Sequence, residues 1–163
     1  MSVRFTDLQR TEVVQRALSQ LGKPYQWGAA GPNSYDCSGS VLAAWKPFIE
    51  LPHNSGALIT APGVRTVARG IRIDEHGKTL HDAGHGALHW PMFWIKPGDL
   101  VFYYGSITHP NSVSHVAVFV GKQGKLSRAV VNATGIVGSV NRGVELISMD
   151  AYTDHVGIGY VGH

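Results

Sequence analysis

The sequence predicts an α+β fold in one domain, with N-terminal helices packed on a small antiparallel sheet. Three observations carry that prediction. Apolar residues recur at helical spacing only up to Phe48. From Pro97 onward the chain breaks into β-branched or aromatic runs separated by turn residues. Twenty glycines and eight prolines in 163 residues favour many turns over a helix bundle.

The elements follow in order. Thr6-Asp7-Leu8-Gln9 has the capping-box pattern, Thr three residues before Gln. Val14, Ala17, Leu18 and Leu21 then hold one helical face, and Gly22 and Pro24 close the helix. A loop rich in glycine and aromatics covers 25–35. Asp36 is a favoured N-cap for a second helix, whose stripe is Cys37, Val41, Ala44, Trp45 and Phe48. Pro47 ends it. Residues 49–96 hold five of the nine histidines and little periodicity. They read as a long insertion, at about 51–96, with one short helix near Ala61–Ala68. Strands are predicted at Leu100–Tyr104, Val116–Val120, Leu126–Ala133, Val144–Ile147 and Gly157–Val161.

Composition narrows the function. The net charge is only +3, and the basic residues are scattered, with no groove-reading motif. Nucleic acid is therefore not an expected partner, whereas an anionic polymer suits the charge. No apolar run reaches the length of a membrane span, so no membrane partner is expected, and the chain is expected to be a monomer. Met1 to Thr6 lack the apolar core of a signal peptide.

The single cysteine, Cys37, excludes an internal disulfide and a multi-Cys zinc site. It is either a buried bystander or a reactive thiol. At a helix N-terminus the backbone amides and the dipole are expected to lower a thiol pKa. Ser38 and Gly39 are small, so a substrate backbone can approach, and the Cys37 N–H is a candidate oxyanion donor. A base and an orienter lie downstream. With Gln123-Gly124 as a two-residue hairpin loop, Lys122 pairs with Lys125, and the same register sets His115 opposite Asn132 on one face. An Asn amide there bonds one imidazole nitrogen and leaves the other for a thiol. Cys, His and Asn in this order match the nucleophile, base and orienter of papain-like hydrolases. The residues alone leave both readings of Cys37 open.

Other candidates are weighed against plainer roles. His81, His85 and His89, with Asp82 between, have helical metal-ligand spacing, but Gly84 and Gly86 weaken a helix there. Solvated loop histidines are expected, with no metal and no other cofactor. Trp90, Phe93 and Trp94 are expected in the core. Asp99 is expected to start a strand after Pro97-Gly98 and to bond backbone amides. Asp150, Asp154 and His155 read as a solvated turn.

The sequence resembles the NlpC/P60 family of cell-wall cysteine peptidases. The resemblance runs from about Ala17 to the end. It rests on Gly22-Lys23-Pro24-Tyr25-Gln26-Trp27-Gly28, Tyr35-Asp36-Cys37-Ser38-Gly39-Ser40-Val41, Leu51-Pro52-His53-Asn54-Ser55, Lys96-Pro97-Gly98-Asp99-Leu100-Val101-Phe102 and Ser114-His115-Val116-Ala117-Val118-Phe119-Val120-Gly121. It implies a papain-like α+β fold and hydrolysis of peptidoglycan stem peptides, commonly between γ-D-Glu and a diamino acid. By position Cys37 matches the nucleophile, His115 the base, and Asn132 a third polar residue that is often His. Tyr25 matches a tyrosine that supports the oxyanion, and Asp36 and Ser38 match positions lining the substrate cleft. The 51–96 segment becomes a candidate lid or cleft wall. The runner-up functions are an N-acetylmuramoyl-L-alanine amidase, a non-catalytic wall-binding module on the same fold, and a cytosolic thiol acyltransferase or deamidase. A wall enzyme without a signal peptide is expected to be a phage lysin or tail module, or an excised domain of a secreted protein.

Overall fold

The computed structural model describes residues 4–68, 71–73, 79–81, 95–106, 109–137, 140–151 and 155–162. Helix α1 (Asp7–Leu18) begins on the predicted capping box: the Thr6 hydroxyl accepts from the Gln9 amide at 3.1 Å, and the Gln9 side chain accepts from the Thr6 amide at 2.9 Å. Helix α2 (Cys37–Trp45) starts at the predicted place, with Asp36 as N-cap. A single-turn helix, α3 (Ser55–Leu58), is capped by Asn54.

Eight strands follow among the described residues: β1 (Val64–Ala68), β2 (Ile71–Ile73), β3 (Thr79–His81), β4 (Leu100–Ser106), β5 (His109–Gln123), β6 (Leu126–Val137), β7 (Val140–Ser148) and β8 (His155–Val161). Six form one antiparallel sheet in the order β1-β8-β4-β5-β6-β7, and β2 pairs with β3. The helix predicted near Ala61–Ala68 is not there. Val64–Ala68 is instead an edge strand running from Val64↔Val161 to Ala68↔Gly157, and the helix of this region lies earlier, at Ser55–Leu58. Val64, Thr66 and Val67 are β-branched and favour a strand, but their partner strand lies at the far end of the chain and leaves no local trace.

The expectation of helices on one face of the sheet holds, with an addition. One core packs Val13, Ala17, Val41 and Trp45 of the helices against Leu100, Phe102, Val116, Val118 and Val131. A second core on the opposite face joins Val101, Tyr103, Ala117, Phe119, Val130, Met149, Ile158 and Tyr160. Burial on both faces explains why the central strands are continuous apolar runs rather than alternating ones.

Buried polar bonds lock the helices to the sheet. Arg10 of α1 forms an ion pair with Asp99 just before β4, both sequestered from water. Arg10 also donates to the carbonyls of Val161 at 2.7 Å and Pro97 at 3.0 Å. Asp99 accepts from the Lys96 amide at 2.8 Å and the Val161 amide at 3.1 Å. This is the structural role its sequence position predicted. The Trp45 indole of α2 donates to the Gly98 carbonyl at 2.9 Å, and Gln20 donates to the Ser40 carbonyl at 3.1 Å. Asp150 pairs with Arg128 on the exposed surface. Asp154 lies outside the described residues, and His155 opens β8.

Candidate active site

Cys37 is the first residue of α2, and Asp36 determines its surroundings. One Asp36 oxygen accepts from the Gly39 amide at 2.7 Å, closing the helix N-terminus; the other accepts from the Gly28 amide at 2.8 Å. That second bond ties the aromatic loop to the start of α2. The loop rests directly on the helix: a Cβ at Gly39 would lie 2.0 Å from the Ala29 carbonyl oxygen, so only glycine fits there. Ser38 is buried with its hydroxyl 3.4 Å from Asp36. Nε2 of His53 sits 2.7 Å from Asp36 Oδ1.

This environment reverses one expectation. A helix N-terminus by itself lowers a thiol pKa. The Cys37 pKa is instead raised, first by burial and then by the negative charge of Asp36. The backbone amides of Val116, Ser38 and Cys37 pull the other way without winning. The group that caps the helix is also the charge that opposes a thiolate. Tyr25 responds in the same manner. Burial, then Cys37 and Asp36, push its pKa up to about 12, so its hydroxyl keeps its proton. The Tyr25 ring covers Gly135 of β6, where an added Cβ would sit 3.3 Å from it.

The second half of the site lies on β5 and β6. The hairpin loop is Gly124-Lys125, not Gln123-Gly124, because Gln123 pairs with Leu126. Gly124 supplies the positive φ, 56°. Beyond a bulge at Gly121, Phe119 pairs with Val130 and Val118 with Val131. The ladder ends at Val118↔Val131, short of His115 and Asn132. The offset from the predicted register is two residues, which keeps both side chains on one face. The predicted pair therefore forms: His115 Nε2 bonds Asn132 Oδ1. An amide oxygen only accepts, so Nε2 carries the proton and Nδ1 is the basic nitrogen. Asn132 is fully buried, and its amide donates in turn to Thr134 Oγ1. Across β4, the Tyr103 ring lies 5.7 Å from the imidazole.

The two halves meet at Val116. Its amide, next in sequence to His115, acts on the Cys37 sulfur. Cys37, Tyr25, Asp36 and Ser38 thus share one cluster, His115 and Asn132 another, and the Val116 backbone joins them.

The family model for NlpC/P60 matches residues 22–150. The chain belongs to the NlpC/P60 family. The NlpC/P60 chain is 33% identical over 113 residues to the probable endopeptidase Rv2190c of Mycobacterium tuberculosis, covering 69% of this chain and 21% of that protein. It is 30% identical over 122 residues to the peptidoglycan endopeptidase RipA of Mycolicibacterium smegmatis, covering 67% and 19%. It spans about a fifth of the length of these relatives. Among solved structures, RipD of M. tuberculosis, described as a non-catalytic NlpC/p60 domain protein adapted to peptidoglycan binding, aligns with TM-score 0.56 at 19% identity, over 96% of this chain and 99% of that one. The NlpC/P60 fold is shared across catalytic and non-catalytic members, so activity depends on the residues of the site.

Two polar residues of this site have no role assigned from the sequence. His53 belongs to the Leu51-Pro52-His53-Asn54-Ser55 motif, but no local spacing connects it to Asp36. Thr134 follows Asn132 by two and shares its strand face, a signal that period-two alternation carries. Among the described residues no group of three His, Cys, Asp or Glu is arranged to hold a metal ion. Asp82, His85 and His89 lie outside the described residues, as do Trp90, Phe93 and Trp94. No helix among the described residues is long and apolar enough to cross a membrane.

Proposed function

We propose that this domain is a cysteine peptidase of the bacterial cell wall, cleaving peptidoglycan stem peptides at the bond between γ-D-Glu and a diamino acid. One observation carries the reading. An imidazole held by a buried Asn, with Nδ1 as its basic nitrogen, precedes the amide that acts on the sulfur of the chain's single cysteine. The peptidoglycan endopeptidase named among the relatives supports the substrate class.

The chemistry follows from the local environments. Burial and Asp36 keep the resting thiol protonated, so attack requires a base. His115 Nδ1 takes the Sγ proton as Sγ bonds the scissile carbonyl carbon. The negative charge on the former carbonyl oxygen is received by the Cys37 N–H and the Tyr25 hydroxyl, which stays neutral and able to donate. The imidazolium passes its proton to the leaving amine as the C–N bond breaks. Water, deprotonated by His115, then attacks the thioester and releases the carboxylate and the thiol. Asn132 holds the imidazole in the required tautomer throughout. Asp36 and Ser38 border the substrate cleft, Asp36 by fixing the loop at Gly28 against α2. The wall is the site of action.

The test is digestion of purified sacculi with mass analysis of the released fragments. The intact domain is expected to split stem peptides and expose new amino groups, and Cys37→Ala is expected to release none. Full activity in Cys37→Ala would overturn the assignment. Release of whole stem peptides would identify an amidase instead. Binding to sacculi without release would place the domain with the non-catalytic members, whose fold it shares.

A further inference from the structure

The imidazole-orienting residue here is an amide, which carries no charge. A carboxylate stands one strand farther out. In the β6–β7 ladder Val131 pairs with Leu146, Asn132 with Glu145 and Ala133 with Val144. Glu145 is therefore directly across from Asn132 and on the same face, where paired Cβ atoms lie about 4.5–5.5 Å apart. Asn132 thus bonds His115 of β5 on one side and pairs with Glu145 of β7 on the other. The two oxygens of Glu145 have different surroundings. Oε2 accepts from Arg142 at 3.0 Å near the surface. Oε1 is buried and takes no hydrogen bond from any described residue. A buried carboxylate oxygen without a donor is costly, and packing alone gives no reason to keep one beside Asn132.

We infer that Glu145 is a positioning residue whose charge acts across Asn132 on His115, supplying from the next strand the negative charge that an Asn at position 132 lacks. This rests on the proposed role of His115 as the base. The carboxylate favours the imidazolium that forms when His115 takes the thiol proton, and it touches neither substrate nor sulfur. Arg142 opposes it by neutralising part of that charge. Among the described residues Tyr103 from β4 packs on the imidazole, and Cys37, with Asp36 beside it, lies at the Val116 amide next in sequence to His115.

The sign of the effect separates this role from a structural one. Histidine ring titrations by NMR, with His115 assigned by its loss in His115→Gln, read the imidazole directly and need no turnover. Glu145→Gln is expected to lower the His115 pKa by roughly half a unit, a reduced form of the shift a close carboxylate gives, because Glu145 is partly screened. The acidic limb of the sacculus-cleavage profile should move down with it. Arg142→Gln is expected to move both upward, and Glu145→Asp to restore part of the wild-type value. A His115 titration unmoved in folded Glu145→Gln, or moved in the same direction by both substitutions, overturns the inference. Should Glu145→Gln fail to fold, Arg142→Gln decides alone: a His115 pKa that does not rise overturns it. A wild-type domain that does not cleave sacculi refutes the proposed function, while the titrations still report on Glu145.

Discussion

Asp36 organises the Cys37 half of the site and offers the sharpest test of it. Two substitutions separate its two effects. In Asp36→Ala the Gly39 amide loses its cap, at a cost of about 1–2 kcal/mol. The Gly28 amide and His53 also lose a partner, but Gly28 is exposed and water replaces much of that bond, so together they add about 1 kcal/mol. The sum is about 2–3 kcal/mol, or a melting temperature lower by roughly 5–10 °C for a chain of this size. Asp36→Asn is isosteric and keeps one oxygen for the Gly39 amide. Its NH2 must face the Gly28 amide, a donor against a donor, so it should lose a smaller amount, about 1 kcal/mol. It also removes the charge that, after burial, does most to raise the Cys37 pKa. Folded Asp36→Asn is therefore expected to react faster than wild type with iodoacetamide at about pH 8, near the ordinary thiol pKa, although it is less stable. The assay is unambiguous because the chain holds one thiol. Equal or slower alkylation in folded Asp36→Asn would refute the idea that Asp36 helps to hold the thiol protonated.

Two further predictions concern stability. Arg10→Ala and Asp99→Asn each break a pair buried on both sides and should each destabilise the domain by about 3–5 kcal/mol in urea titrations; a loss below about 1 kcal/mol, the range of an exposed pair, would mean that the pair does not hold α1 to β4. The second is alkaline instability. Because the folded-state pKa of Cys37 is raised, the native state keeps a proton that the unfolded chain gives up above about pH 8.5. Stability from this source is complete below that pH and is lost as pH rises, and Tyr25 acts in the same direction as pH approaches about 12. Cys37→Ser should flatten the fall between about pH 7.5 and about pH 9.5 in denaturant titrations, and an unchanged slope would argue against it.

The features legible in the sequence are those whose causes are local. The Thr6–Gln9 box and the Asp36 cap are both satisfied within three residues of the chain. The His115–Asn132 pair is legible because side-chain alternation has period two. The loop at Gly124-Lys125 displaces the register by two residues, and the shifts on either side of Gly121 cancel, so both side chains keep their face. The misread features have distant causes. Val64–Ala68 is a strand only because β8 lies beside it. His53 finds Asp36 across an intervening helix, and Glu145 finds Asn132 through a ladder whose register no turn signal announces. The sign of the Cys37 shift has a local cause, however. An Asp chosen as N-cap necessarily places its negative charge beside the first residue of the helix, and the helix dipole accounts only for the amides.

That last point bears on how catalytic and binding members can share one fold. A binding module needs no reactive thiol, and Asp36 clamps the aromatic loop to α2 whether or not the thiol reacts. The chain from His115 through Asn132 to Thr134 is not part of that clamp. It holds polar groups inside the sheet, where apolar residues of the same shape would pack at no desolvation cost. Its one distinct consequence is to fix which imidazole nitrogen is basic. In the proposed mechanism a thiol held protonated by burial and by Asp36 needs such a nitrogen to become a nucleophile. In the proposed mechanism the two environments are complementary: α2 keeps the thiol protonated, and β5 with β6 holds the base that takes its proton.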